Sequence, residues 1–443
     1  MGNLGIFDTA KEAVAAAAAA QKKLMNEYTM EDRQRFIEQI RKELGPRIPE
    51  FAELEFVETG YGRVEDKIGK DTGAIMLSPG TEAVPVGVMA GSQGLTVEYY
   101  APFGVIGAVT PVTNPVATII ANTICMMAGG NTVVFNAHPA GVKSSTAALQ
   151  GVNQAIINAG GPENVATMPA VPTMETLDDI MYAPEVKLLV GTGGPGMVKT
   201  LMSAGKKVVA AGPGNPPSVI DETADIKKCA ESLVASATFD NNLLCIAEKE
   251  IFCVDAVFDE LMDAFEANGN RRLTREEADK VTAVGIVQGK DGSYSTNKNF
   301  VGKHASVILE AAGVPCEGDP RMAFFEARND DLYVQVEQMQ PIIPVVRCKD
   351  FEEAQALAYA AEHDNKHSAS IWSKNIDHVT SFGRLINTTV FVQNGGTMSA
   401  FGIGGSGTNS PTIATPTGEG VTGPQSFVRR RRFCMAGGGN YLL

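Results

Sequence analysis

The chain is short of several things, and each shortage excludes something. It has one tryptophan and five histidines in 443 residues, so a role for either type must be argued at a named position. Seven cysteines lie scattered at positions 125, 229, 245, 253, 316, 348 and 434. Their number is odd and no CxxC pair occurs, so neither a disulfide framework nor a zinc knuckle is expected, and no metal site. Scattered free thiols fit a reducing cytoplasm. No basic-then-apolar leader opens the sequence, and Ile6 breaks the myristoylation pattern that Met1-Gly2 would begin. The longest apolar run, Ala13 to Ala20, is too short to span a bilayer. Positive charge is in deficit as well: 37 Lys and Arg against 51 Asp and Glu give a net charge of −14. That disfavours general binding to nucleic acid or to anionic membranes. No internal repeat stands out.

What is present is ordinary for a globular protein, with 44% hydrophobic and 20% charged residues. The length suggests about three domain-sized units. Residues 9–26 read as an alanine-rich helix. Thr29 and Asp32 form a capping box for a second helix, whose Phe36, Ile37, Ile40 and Leu44 share one face. Residues 81–100 alternate like a β-hairpin around Gly-Ser-Gln-Gly. Ser426–Phe433 reads as extended, its four arginines blunting an edge strand or covering a subunit interface. Between Phe103 and Ala211, apolar runs at 103–109, 132–135, 165–168, 186–190 and 207–211 alternate with helices near 115–128, 143–158, 174–182 and 196–204. That alternation argues βαβ units and a parallel sheet, whose ligands bind at the carboxyl ends of the strands. Residues 213–400 read as a second α/β unit, with helices near 225–237, 255–267, 350–362 and 375–386. Its strands are expected near 249–254, 306–309, 342–346 and 389–392. A long Gly-, Ser-, Thr- and Pro-rich loop follows Asn394.

Cys245 stands in FDNNLLCIAEKE, between a helix fading near Ala237 and a strand starting near Glu248. A thiol exposed on such a junction suits a nucleophile, but a cysteine at its ordinary pKa is only a few per cent ionised at neutral pH. Its surroundings must then act on it; the alternative is a buried small hydrophobe. Asn114, in TPVTNPV, is placed for helix capping before Pro115, which explains it structurally. The functional alternative is a side-chain amide donating to an oxyanion. Gly191–Gly196 follows a strand and opens a helix, a context for a phosphate-bearing cofactor or a plain tight turn. It is neither a dinucleotide fingerprint nor a P-loop. Asn136, His138 and Pro139 end a strand where an adenosine could lie, or make a turn. Gly212-Pro213-Gly214-Asn215 is either a close ligand approach or a crossover between domains. Glu337 could accept from ribose hydroxyls or be a loop acid. His367 could assist proton transfer or be structural.

These pieces occur in an order that resembles the aldehyde dehydrogenase superfamily, and its coenzyme-A-acylating branch above all. That branch includes the propionaldehyde and acetaldehyde dehydrogenases of bacterial microcompartments that degrade propanediol and ethanolamine. The stretches carrying the likeness are ETGYGRVEDK (58–67), VTPVTNPVAT (109–118), GNTVVFNAHPA (130–140), AAGPGNPPSVIDETAD (210–225), SATFDNNLLCIAEK (236–249) and TPTGEGVT (415–422). The resemblance implies an α/β fold of three interleaved parts. A Rossmann-like cofactor domain would hold 1–82 and 101–212, with 406–420 returning to it. A catalytic domain would span 213–405. A small oligomerisation sheet would combine 83–100 with 421–443.

By the same resemblance, Cys245 is the nucleophile, and Asn114 with the Cys245 backbone N–H forms the oxyanion hole. Pro111, Val112, Thr113, Asn136, His138, Pro139, Gly191, Thr192, Gly193, Gly196 and Gly212 would line the NAD site, with Glu337 on the nicotinamide ribose. Coenzyme A would enter as co-substrate over much of the same surface, and His367 is the candidate for deprotonating Cys245. The implied activity is oxidation of a short-chain aldehyde, propionaldehyde or acetaldehyde, to acyl-CoA through a Cys thioester. Hydrolytic members carry a glutamate at the start of the crossover, where this chain reads Ala210-Ala211-Gly212-Pro213. The missing carboxylate argues against the first alternative, a hydrolytic NAD-dependent aldehyde dehydrogenase. The second alternative is a catalytically silent assembly subunit. Homodimers or homotetramers are implied, in the cytoplasm or in a microcompartment lumen. Shell association would need an amphipathic extension ahead of Met1.

Overall fold

The computed structural model describes residues 3–438. The chain divides into two compact units. The first contains residues up to Thr59, Ile68–Gly212 and the chain from Thr408 on; the second contains Gly60–Lys67 and Pro213–Gly407. Expected boundaries and observed ones therefore part at residues 60–67, which chain order alone would leave in the first unit. The reason is local. Arg63 donates its backbone N–H to Asp240, Lys67 pairs with the same carboxylate, and Gly62 lies against it.

The first unit is built on a six-stranded parallel sheet in the order Ile6–Phe7, Ala166–Pro169, Thr132–Asn136, Val105–Val109, Val186–Thr192, Lys207–Ala211. The first strand of that order went unread in the sequence, being two residues long. Alternation along each strand feeds two cores. Ile106, Ala108, Val133, Phe135, Leu188 and Val190 pack under helices Met30–Leu44, Pro115–Ala128 and Val142–Asn158. Val105, Val109, Val134 and Leu189 pack on the other face, with helices Ala10–Glu27 and Met174–Tyr182. The Thr29–Asp32 capping box is present, and Phe36, Ile37, Ile40 and Leu44 are buried together. A reciprocal cap of this kind contributes about 1 kcal/mol. The hairpin strands Gly87–Gly91 and Gly94–Pro102 are completed by Val428–Ala436, antiparallel to the second of them. The arginine run is thus an edge strand: Arg430 and Arg432 meet Glu98, and Arg431 lies over Tyr99. Residues 439–443 of the expected tail segment lie outside the described residues.

The second unit repeats the principle on a seven-stranded parallel sheet. Its order is Arg271–Arg272, Ala323–Ala327, Ile342–Cys348, Glu250–Val254, Pro217–Ile220, Ser368–Trp372, Val390–Gln393. Phe252, Val254, Phe325, Ile342 and Val346 face one core, and Ile251, Cys253, Phe324, Ile343 and Val345 face the other. The strand expected at 306–309 is instead part of a helix, Ala305–Ala311. Ala305, Ile308 and Leu309 are buried at spacings of three and four. A run of so few apolar letters does not display its period. Among the described residues no helix is long and apolar enough to cross a membrane.

Candidate active site

The residues singled out in the sequence gather at two strand-end edges, one in each unit. In the second unit the chain leaves helix Ile226–Ala237 through three consecutive left-handed residues, Asp240, Asn241 and Asn242, with φ of 51°, 56° and 65°. Each such residue costs on the order of 1 kcal/mol unless its surroundings over-determine it. Here they do. Asp240 accepts from the Arg63 backbone N–H at 2.9 Å and from Lys67 Nζ at 3.1 Å. The Asn241 side chain donates to the Gly62 and Gly302 carbonyls, and that of Asn242 to the Ala237 and Glu248 carbonyls. Asp and Asn are the side chains that reach this region at least cost.

That pinned turn delivers Cys245 to a loop ahead of strand Glu250–Val254, half-buried where Cys125, Cys229, Cys253 and Cys348 are buried in helices and strands. Burial pushes the Cys245 thiol up to about 12, with the Glu337 carboxylate acting in the same direction. Lys249 and the backbone N–H groups of Cys245 and Ile246 oppose this. The expectation that the surroundings activate the thiol therefore meets a resting site that holds it protonated. Two amide N–H groups already face the sulfur, where negative charge would develop.

The crossover packs directly behind this loop. A Cβ on Gly214 would lie 2.7 Å from the Cys245 carbonyl oxygen and 2.9 Å from the His367 ring, so only glycine fits. The Gly214 N–H also donates to Glu337, opposing the burial that raises that carboxyl. Asn215 fixes the crossover by donating to the Val334 and Ala361 carbonyls. His367 is fully buried, its Nδ1 2.9 Å from Ser368 Oγ and its Nε2 without a hydrogen-bond partner. Burial, helped by Lys249, brings its pKa down to about 3, so the imidazole is neutral near pH 7.

In the first unit, the register aligns Val109 with Asn136 on one side and Gly191 on the other. Three expected binding segments thus share one carboxyl edge. Asn114 occupies the position before helix Pro115–Ala128, but its side chain makes no cap. Its amide donates instead to Thr113 Oγ1 at 3.1 Å, and its Oδ1 is buried without a partner, as is Thr110 Oγ1. Capping, the structural explanation the sequence offered, does not account for it. Lys70, buried and paired with Glu55, props the same turn by donating to the Thr113 carbonyl. Asn136 is committed locally: it accepts from Thr176 Oγ1 and donates to the Thr173 carbonyl. His138 caps the short turn Pro139–Gly141 by accepting from the Ala140 N–H.

Gly191 is needed for packing, because a Cβ there would lie 2.2 Å from Leu201. Gly194 and Gly196 have open space where a Cβ would stand, at the start of helix Pro195–Met202. Open backbone at a helix N-terminus fits a dinucleotide phosphate. Among the described residues one trio, Asp221, Glu222 and His378, could offer atoms to a cation. The Asp221 carboxylate is already taken by Thr223, Ser373 and His378.

Lys249 and Asn242 went unread in the sequence. The only signal was a lysine among the glutamates of AEKE, which reads as a solvated charge run, whereas Lys249 is fully buried.

Comparison with known proteins bears on these arrangements. The model of the aldehyde dehydrogenase family matches residues 7–414. An acetaldehyde dehydrogenase (acetylating) of Bilophila wadsworthia is 41% identical over 98% of this chain and 90% of the relative. A propionaldehyde dehydrogenase from the fucose utilisation microcompartment of Clostridium phytofermentans superposes with a TM-score of 0.94 at 42% identity, covering 98% of both chains. A propionaldehyde dehydrogenase of Rhodopseudomonas palustris, with bound CoA and an acylated cysteine, superposes with a TM-score of 0.94 at 38% identity. That match covers 98% of this chain and 99% of the other.

Proposed function

The chain belongs to the aldehyde dehydrogenase family, and we propose that it oxidises short aliphatic aldehydes, propanal and ethanal, to acyl-CoA through a thioester on Cys245. The observation that carries this reading is the loop around Cys245. A half-buried thiol faces two amide N–H groups, and the crossover behind it, Gly212 to Asn215, contains no carboxylate to activate water.

The Cys245 thiolate adds to the aldehyde carbonyl and gives a thiohemiacetal. The Cys245 backbone N–H would donate to the developing oxyanion, and the Asn114 amide is the second donor that the family resemblance assigns, each worth roughly a hundredfold or more in rate. NAD, when bound, accepts the hydride that turns the thiohemiacetal into a thioester. The backbone at Gly194 and Gly196 would hold its phosphates, and Glu337 is the carboxylate that the family resemblance assigns to a ribose hydroxyl. The coenzyme A thiolate then attacks the Cys245 thioester, expels the protein thiolate and leaves as acyl-CoA. Exchanging one thioester for another conserves the free energy of aldehyde oxidation. His367, neutral and with Nε2 unpartnered, is assigned the proton of the Cys245 thiol during attack. Its low pKa makes it a weak base for that step.

The exposed three-stranded sheet, with Val86, Val88, Met89 and Phe433 at the surface, is read as the contact of a homodimer or homotetramer. The protein is assigned to the cytoplasm or to a microcompartment lumen. The test of function is NADH formation with propanal and NAD, with and without coenzyme A, with Cys245→Ala as control. Multiple turnover only with coenzyme A, lost in the variant, is expected. A hydrolytic reading would need a carboxylate at the start of the crossover, where this chain has Ala210, Ala211 and Gly212. Equal turnover without coenzyme A would establish that reading instead.

A further inference from the structure

One residue touches all three segments that build the thiol site. The Lys249 ammonium donates to the Asn242 carbonyl at 3.0 Å, to Asn242 Oδ1 at 2.5 Å and to the Leu244 carbonyl at 3.0 Å. Its backbone N–H donates to the Pro216 carbonyl of the crossover at 2.9 Å. Its own carbonyl accepts from Gln338, the neighbour of Glu337, at 2.6 Å. The side chain is fully buried.

We propose that Lys249 is a positioning residue of the thiol site: it ties the Cys245 loop to the crossover and the Glu337 segment, and supplies the positive charge that stabilises the thiolate against Glu337. The inference deepens the reading above, since it takes Cys245 as the nucleophile. A neutral donor would tie the loop without the several kcal/mol that burying an ammonium costs. All three ammonium bonds go to uncharged oxygens, so no carboxylate neutralises the charge by direct contact. The charge is left to act on its neighbours. Those that face it are Glu248 and Glu250 on its own segment, Cys245 from the loop and Glu337 from the segment before strand Ile342–Cys348. His367, from the loop end of strand Ser368–Trp372, feels it as well. Burial raises the carboxyls of Glu248, Glu250 and Glu337. Burial lowers the Lys249 ammonium as well, opposed by Glu337, Cys245, Glu250 and Glu248, and Lys249 is the cation that acts on the sulfur when it ionises.

The test is the rate of Cys245 alkylation by iodoacetamide against pH in the full chain, read by peptide mass so that Cys316 and Cys434 do not contribute. In Lys249→Met the rate below the plateau should fall roughly tenfold or more, one pKa unit being a factor of ten in thiolate. In Lys249→Arg, which keeps the charge, most of the loss should be recovered. In Glu337→Gln, which leaves every Lys249 bond in place, the rate should rise severalfold because the ammonium is no longer opposed. Parent-like alkylation of a folded Lys249→Met at every pH would overturn the proposal. If that variant does not fold, Glu337→Gln decides alone, and a rate no faster than the parent's overturns it. No aldehyde, dinucleotide or coenzyme A is present in these assays. Failure of the acylating reading would show only in turnover and would leave this result standing.

Discussion

The two parallel sheets are built by one rule and finished in opposite ways. At the carboxyl edge of the six-stranded sheet the groups facing the strand ends are small and neutral, and the one buried ion pair there, Lys70 with Glu55, props the Asn114 turn through the Thr113 carbonyl. Gly194 and Gly196 leave open space, and Thr110 and Asn114 leave buried oxygens unpartnered. Around the thiol of the second unit the finishing groups are charged and enclosed. Lys249, Glu248 and Glu250 are fully buried, as are Lys67 and Asp240 of the turn that precedes the loop. Open backbone at a helix N-terminus suits a ligand that brings its own negative charge, such as a dinucleotide. An edge of buried ions suits chemistry in which the protein supplies the charge. The difference teaches that one architecture can finish its strand ends in two chemically distinct ways, by where it spends ionisable groups.

The comparison breaks most visibly at the thiol. Cys245→Ala should reduce CoA-dependent NADH formation below detection while leaving NAD affinity, measured by calorimetry, unchanged. Loss of NAD binding in that variant would erase the division of labour. Next in size is the buried pair below the loop. Asp240→Ala leaves Lys67 and the Arg63 N–H without their carboxylate and should destabilise the protein by about 3–5 kcal/mol in urea unfolding. A change below about 1 kcal/mol would mean that water replaces the carboxylate.

Asn114→Ala probes the neutral edge. It should lower kcat about a hundredfold, with little change in KM for aldehyde and no change in the rate of Cys245 alkylation. A purely structural asparagine would lower stability instead. The pH response sharpens the contrast further. With the thiol at about 12, thiolate grows with pH throughout the working range. Alkylation of the parent should then rise roughly tenfold per pH unit between about pH 7 and 10 without a plateau. With its pKa near 3, His367 should add no inflection between about pH 5 and 8. The smallest effect is Gly196→Ala. With open space for the methyl group, it should stabilise the helix by about 0.5–1 kcal/mol in thermal unfolding. It should also raise the KM for NAD severalfold, because a Cβ crowds the approach of a phosphate.

What could be read in the sequence follows the same division. Helices 115–128, 174–182 and 255–267 were legible to the residue because their ends carry Pro, Thr and Asp signals beside long periodic runs. The parallel sheets were legible because their strands are continuous apolar runs between helices. Helices Ile48–Thr59, Val64–Met76 and Arg275–Gly285 were missed. The first has little amphipathic contrast, and the second carries Lys67, buried by a partner far along the chain, and Lys70, buried against Glu55 of the helix before it. Cys245, Glu337 and the glycine turn could be named from motif order. Lys249 could not, because sequence shows a charge and not its burial. For Asn114 local rules suggested a cap, and only the side-chain geometry shows an amide turned away from its own helix. The sequence offers His367 as a proton acceptor, and burial, helped by the Lys249 charge, sets it far from titration.

The short segment Gly60–Lys67 has a consequence for biosynthesis. Its Lys67 meets a carboxylate 173 positions later, and its Gly62 N–H is received by Gly302. During translation these eight residues leave the ribosome long before their partners exist, and they must wait unpaired while the rest of the first unit closes around their flanks. The turn that presents Cys245 cannot make its Asn241 bond to the Gly302 carbonyl until residue 302 has emerged. A nascent chain would expose Cys245 to oxidants and to passing aldehydes throughout that interval. A fragment of the second unit cut at Pro213 would never leave that immature condition, since the eight residues that complete it would be absent.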